Sequence, residues 1–213
     1  MQFLEERKEL VEYGKKVLDI GLTKGTGGNL SLRVKKDLML ITPTGIPYHD
    51  TRPEDIVLMD LNGNVIEGTK KPSSEHGMHS ILYKNRDDID AVLHTHTTYA
   101  AAVSCMNMDL PAVHYLVAMG GGKNVRCAKY ATFGTPQLAK NALEAMENRY
   151  ACLLANHGML VGAKDMPNAI NITEEIEFCC ELYMRTLASG TPVILSDEEM
   201  EAMLGKFKTY GQV

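Results

Sequence analysis

Residues 56–68, IVLMDLNGNVIEG, place Asn62-Gly63 between two apolar runs. An Asn-Gly pair at that spacing is a strong β-hairpin signal, because both residues accept the positive φ that a tight two-residue turn demands. ACLLANHGMLVGA (151–163) repeats the logic as strand, sharp turn, strand, and LSLRV and LMLIT flank a Lys35-Lys36-Asp37 turn. Antiparallel neighbours are therefore built in at several points, and a strictly alternating βα chain is ruled out. Helical spacing covers residues 3–21, about 74–85, from Thr98 onward, from Thr135-Pro136, and from about 166 to Ser189. Thr135 reads as an N-cap with proline at the first helical position, and SDEE (196–199) as a capping box opening a last helix. With no internal repeat and no low-complexity linker, the expectation is one domain over 1–213. Its sheet should pair largely antiparallel and be covered by helices.

The 213 residues carry a net charge of −5, so there is no basic footprint for nucleic acid. The start, MQFLEERKEL, does not read as a signal peptide, and no apolar run is long enough to span a membrane. Five cysteines are scattered without a C-x-x-C, which leads us to expect a reduced, cytoplasmic protein.

AVLHTHTTYA (91–100) ends an apolar strand with two histidines one residue apart. Residues i and i+2 of a strand point the same way, so His94 and His96 stand on one face, where two imidazoles can share a metal ion. His157 sits at the corner of the 151–163 hairpin, beside Gly158. Glu75, in KPSSEHGMHS, lies in the first turn of a predicted helix. Three imidazoles and a carboxylate suit Zn²⁺. Taken singly, each has a plain alternative: strand-end polar residues, a turn histidine, an acid favoured by the helix dipole. His76 and His79 lack the order of H-E-x-x-H and read as a helix pair. GTGGN (25–29), TPTGIPY (42–48) and PSSE are three small, polar loops of the kind that cradle phosphate.

GTGGN, TPTGIPY, PSSE, HTH, HY, YATFGT, NHG and KFKTYG occur in the order found in the class II aldolase/adducin family, and the chain resembles that family over nearly its whole length. The resemblance implies an α/β protein with a three-layer α/β/α fold, a largely antiparallel central sheet and a fourfold homotetramer. It implies Zn²⁺ on Glu75, His94, His96 and His157, with Mn²⁺ or another divalent ion as a substitute. Gly28, Asn29, Thr44, Gly45, Ser73 and Ser74 would form the phosphate site. Glu75 and Tyr115 would be catalytic, with Tyr115 reaching a neighbouring subunit's site. Phe133 and Tyr210 would line the aldehyde side.

The implied reaction is reversible cleavage of a ketose 1-phosphate to dihydroxyacetone phosphate and a small aldehyde. L-fuculose 1-phosphate, which yields L-lactaldehyde in fucose catabolism, is the expected substrate; a 5-deoxy-pentulose 1-phosphate, giving acetaldehyde, is the alternative. The related 4-epimerases carry Asp where this chain has Glu75, and dehydratases of the fold match the motif set less well. A non-catalytic adducin head lacks the histidines.

Overall fold

A computed structural model describes residues 1–207, so Tyr210 lies outside the described residues. Helix α1 (Leu4–Asp19) leads into hairpin strands β1 (Asn29–Lys35) and β2 (Leu38–Ile41), and then into β3 (Val57–Asp60) and β4 (Val65–Glu67). The β3–β4 hairpin turns through residues 61–64 with Gly63 at φ 96°, while Asn62 stays out of the positive-φ region, so the connection is longer than the two-residue turn the Asn-Gly pair suggests. Helix α2 (His76–Asn85), strand β5 (Ala91–Thr95) and helix α3 (Thr98–Ser104) follow. A 3₁₀ turn (Tyr115–Gly120) and the short β6 (Cys127–Ala128) lead to α4 (Pro136–Ala145). Strands β7 (Ala151–Leu154) and β8 (Gly158–Ala163) precede the long α5 (Met166–Ser189), and α6 (Asp197–Phe207) ends the described chain. The Thr135 hydroxyl caps α4 by accepting from the Leu138 N–H, and Ser196 accepts from the Glu199 N–H.

The strands form one eight-stranded sheet in the order β4-β3-β2-β1-β5-β8-β7-β6. All neighbours are antiparallel except β6 and β7. Strand alternation splits the core in two. Leu30, Leu40, Leu58, Leu93, Leu153 and Val161 pack on one face, with α1, α3 and α5. Met39, Ile41, Met59, Val92, Leu154 and Leu160 pack on the other, with α2 and α4. Apolar residues at both parities mean that both faces are covered. The architecture is thus the expected α/β/α sandwich. No helix among the described residues is long and apolar enough to cross a membrane.

Candidate metal centre

The central strand β5 delivers His94 and, just past its end, His96; the corner between β7 and β8 delivers His157, and the residue before α2 is Glu75. β1 pairs Asn29 with His94, and β8 pairs Leu160 with His94 and Met159 with Thr95. Both neighbours reach this end of β5 through glycine. A Cβ on Gly28 (φ +72°) would lie 2.4 Å from the His94 carbonyl oxygen, and one on Gly158 would lie 2.3 Å from that of Thr95. Alanine at either place must push the backbones apart beside the histidines. We expect Gly28→Ala and Gly158→Ala each to cost about 1–3 kcal/mol, lowering the melting temperature by about 2–4 °C per kcal/mol lost. Unchanged thermal unfolding in both would refute the close approach.

His157 follows Asn156, which takes φ 53° at the β7–β8 corner and accepts from the Asn107 amide. The corner turns His157 back over β5. One ligand atom each from Glu75, His94, His96 and His157 then lies within 4.8 Å of all the others. His94 Nε2 is 3.0 Å from His96 Nε2 and 3.3 Å from Glu75 Oε2, and His157 Nε2 is 3.4 Å from Glu75 Oε1. His94 and Glu75 are buried, while His96 and His157 are half-buried toward the opening. His94 is oriented from behind, its Nδ1–H donating to the Met159 carbonyl at 2.8 Å. That bond sets the tautomer and turns the Nε2 lone pair into the cluster, as metal-binding histidines require.

Burial lowers His96 and His157 to about 4 against the opposing pull of the Glu75 carboxylate, so both imidazoles are neutral at pH 7. For Glu75 burial pushes the other way. Protons on His94 and His157, whenever those rings carry them, and the Asn29 amide outweigh it and hold the carboxyl below its ordinary value. Neutral imidazoles and an ionised carboxylate are the ligating forms. Glu75 Oε1 is moreover buried without a hydrogen-bond partner. An acceptor left so among lone pairs suits a cation. The four residues fit a divalent metal.

Glu75 stands just before α2, at its N-cap position, and not in its first turn as the sequence spacing suggested. His79 is outside the cluster, both its ring nitrogens being engaged by Asn29 and Ser31. The loops holding Thr44, Gly45, Ser73 and Ser74 are tied together. Thr44 N–H donates to the Lys71 carbonyl and Ser73 N–H to that of Thr42, and Pro43 bridges Pro72. The Ser73 hydroxyl accepts from the Glu75 N–H, joining this rim to the cluster. Gly28 abuts His94. Asn29, expected among the phosphate contacts, is buried with its amide donating to Glu75 Oε2 at 3.0 Å.

A cavity of about 300 Å³ opens over the cluster, lined by Glu75, His96, His157, Tyr130, Ala131, Phe133 and Asn156. Phe133, expected on the aldehyde side, is one of these lining residues. Tyr130 and Asn156 were missed, although the first lies in YATFGT and the second in NHG. Tyr115 does not line this cavity; it is exposed, with its ring against His114 and Phe207.

Comparison with known proteins accords with this geometry. The model of the class II aldolase and adducin N-terminal domain matches residues 8–184. A 5-deoxy-D-ribulose 1-phosphate aldolase of Bacillus thuringiensis serovar kurstaki is 50% identical over the full length of both chains. The L-fuculose phosphate aldolase of Escherichia coli K12 is 43% identical over 96% of this chain and 94% of its own. A solved L-fuculose 1-phosphate aldolase superposes with a TM-score of 0.92 at 55% identity, over 95% of each chain. A domain match from α1 into α5, and a half-identical relative aligned end to end, make this chain a member of the class II aldolase/adducin family.

Proposed function

We propose that this protein is a metal-dependent aldolase that reversibly cleaves a ketose 1-phosphate into dihydroxyacetone phosphate and a small aldehyde. The observation that carries the reading is the convergence of Glu75, His94, His96 and His157 in one cluster under a cavity, beside the tied loops of Thr44, Gly45, Ser73 and Ser74. Glu75, His94, His96 and His157 would hold the cation, Zn²⁺ by the donor set, with Mn²⁺ as a substitute. When bound, it supplies the Lewis acidity that stabilises the charge left as the carbon–carbon bond breaks.

The rest falls to the chain's own residues. Gly28, Asn29, Thr44, Gly45, Ser73 and Ser74 bind the phosphate and, through this remote contact, fix the reacting carbons. Tyr115 of a neighbouring subunit takes the proton of the carbinol hydroxyl as the aldehyde leaves. In condensation the ionised Glu75 takes the proton from the carbon that will form the bond; in cleavage Glu75, once protonated by the proton released from the carbinol hydroxyl by way of solvent, returns it there. Phe133 and Tyr210 border the aldehyde. A homotetramer whose subunits meet at the site would use the exposure of Tyr115 (45%), which leaves that side chain accessible to a neighbouring subunit.

L-fuculose 1-phosphate and 5-deoxyribulose 1-phosphate both end in a methyl group, which suits the apolar Ala131 and Phe133 on the cavity wall. The half-identical full-length relative gives the 5-deoxypentulose reading its own support beside the fuculose one. A coupled assay for dihydroxyacetone phosphate over a panel of ketose 1-phosphates separates them; no release from any member would refute the reading. The phosphate rim has its own test. A hydrogen bond to a charged group contributes about 1.5–3 kcal/mol, so Ser73→Ala should raise KM about tenfold to a hundredfold. An unchanged KM, in steady-state kinetics, would remove Ser73 from the site.

A further inference from the structure

Behind the cluster runs a line of buried polar side chains that the cation site does not use. Asn29, Ser31, His79 and Tyr83 are each at most 4% exposed. Asn29 Nδ2 donates to Glu75 Oε2 at 3.0 Å. His79 Nε2 lies 2.5 Å from Asn29 Oδ1, and His79 Nδ1 lies 2.7 Å from Ser31 Oγ. The Tyr83 hydroxyl is 2.7 Å from Ser31 Oγ and 3.0 Å from the Ser31 carbonyl oxygen.

The direction of every bond as far as Ser31 follows from one end. An ionised carboxylate only accepts, so Asn29 turns its NH₂ toward Glu75 and its oxygen toward His79. His79 must then carry its proton on Nε2, and its bare Nδ1 accepts from the Ser31 hydroxyl. The one Tyr83 proton goes to Ser31, at its hydroxyl or its carbonyl oxygen. A flipped Asn29 would set its oxygen against the Glu75 carboxylate, and the N–H of His79 is what forbids that flip. One carboxylate oxygen is thereby pinned, and Oε1 is left unpaired toward the cavity.

We propose that His79 is a positioning residue for Glu75, acting through Asn29, with its other ring nitrogen engaged by Ser31. This deepens the aldolase reading and rests on it for its consequence in catalysis. The sequence reading placed His79 as half of a helix pair; the structure makes it the support of the residue expected to ligate and move the proton.

Three substitutions in the full-length protein test it. His79→Gln places an amide N–H where Nε2 stood and keeps the bond to Asn29. His79→Asn places its polar atoms near Nδ1 and loses that bond, and His79→Leu loses both. Zinc affinity is measured by competition with a chromophoric chelator, kcat by release of dihydroxyacetone phosphate, and folding by thermal unfolding. Outer-sphere partners of metal ligands are worth about tenfold to a hundredfold, so His79→Leu and His79→Asn should lose that much zinc affinity and a similar factor in kcat. His79→Gln should recover both to within about threefold. A purely structural role would track the melting temperature and not the place of the donor. Equal zinc affinity in His79→Gln and His79→Asn, or wild-type affinity in His79→Leu, overturns the proposal. If wild-type protein binds zinc yet cleaves no ketose phosphate, the aldolase reading fails while the zinc comparison still decides the relay. Wild-type protein that takes up no zinc overturns both.

Discussion

Chelation abolishes carbon–carbon cleavage by this protein, and Zn²⁺ or Mn²⁺ restores it: that is the first expected result, and the largest. His94 sits at the bottom of the cluster, wholly buried, with Nδ1 committed to Met159 and Nε2 facing the other donors. No other described side chain shares its position between Gly28 and Gly158. His94→Ala should therefore reduce bound metal well below one per chain. Activity should fall by more than the about hundredfold that an outer-sphere loss costs. His49→Ala is the control, since its imidazole is exposed and paired with Asp19 at 2.8 Å. Metal content by elemental analysis is the measurement, and equal content in the two variants would refute the site. The dependence on pH has a definite sign. Protons compete with the cation for the imidazole lone pairs. Because burial lowers His96 and His157 to about 4, that competition is weak at pH 6 and grows as pH falls toward 4. Metal should be retained through the first range and released in the second.

The second large effect is recovery from two dead parents. Tyr115 is exposed and does not line the cavity of its own chain, although the resemblance makes it catalytic. If it acts across a subunit boundary, Tyr115→Phe spares the metal and removes the acid, while His94→Asn does the reverse. Each pure oligomer is inactive. Unfolded together in equal amounts and refolded, the two chains assemble at random. About a quarter of the sites then join an intact cluster to an intact tyrosine under cyclic symmetry. Activity should return to roughly that fraction of refolded wild type. A mixture as inactive as its parents, alongside a recovering wild-type control, would mean that Tyr115 acts within its own chain or is not the acid.

Local sequence was enough for the elements. The Asn62-Gly63 turn, the Thr135 cap and the hairpin at 151–163 are short-range signals. They depend on backbone sterics and on hydrogen bonds between near neighbours, and the structure has them where the residues predict. The mostly antiparallel sheet follows from those hairpins, and the ordered motifs pointed to the family. His94 and His96 were legible because a strand repeats every second residue. What joined them to His157 and Glu75 was tertiary. The pairing of β5 with β8 decides which corner faces which histidine, and the glycines that let backbones approach carry no periodic mark. The orientation of Asn29, the tautomers of His94 and His79, and the unpaired oxygen of Glu75 were equally invisible. Each depends on a hydrogen-bond partner far away in the chain, Met159 for His94 and Asn29 for His79, and only folding brings those groups within reach.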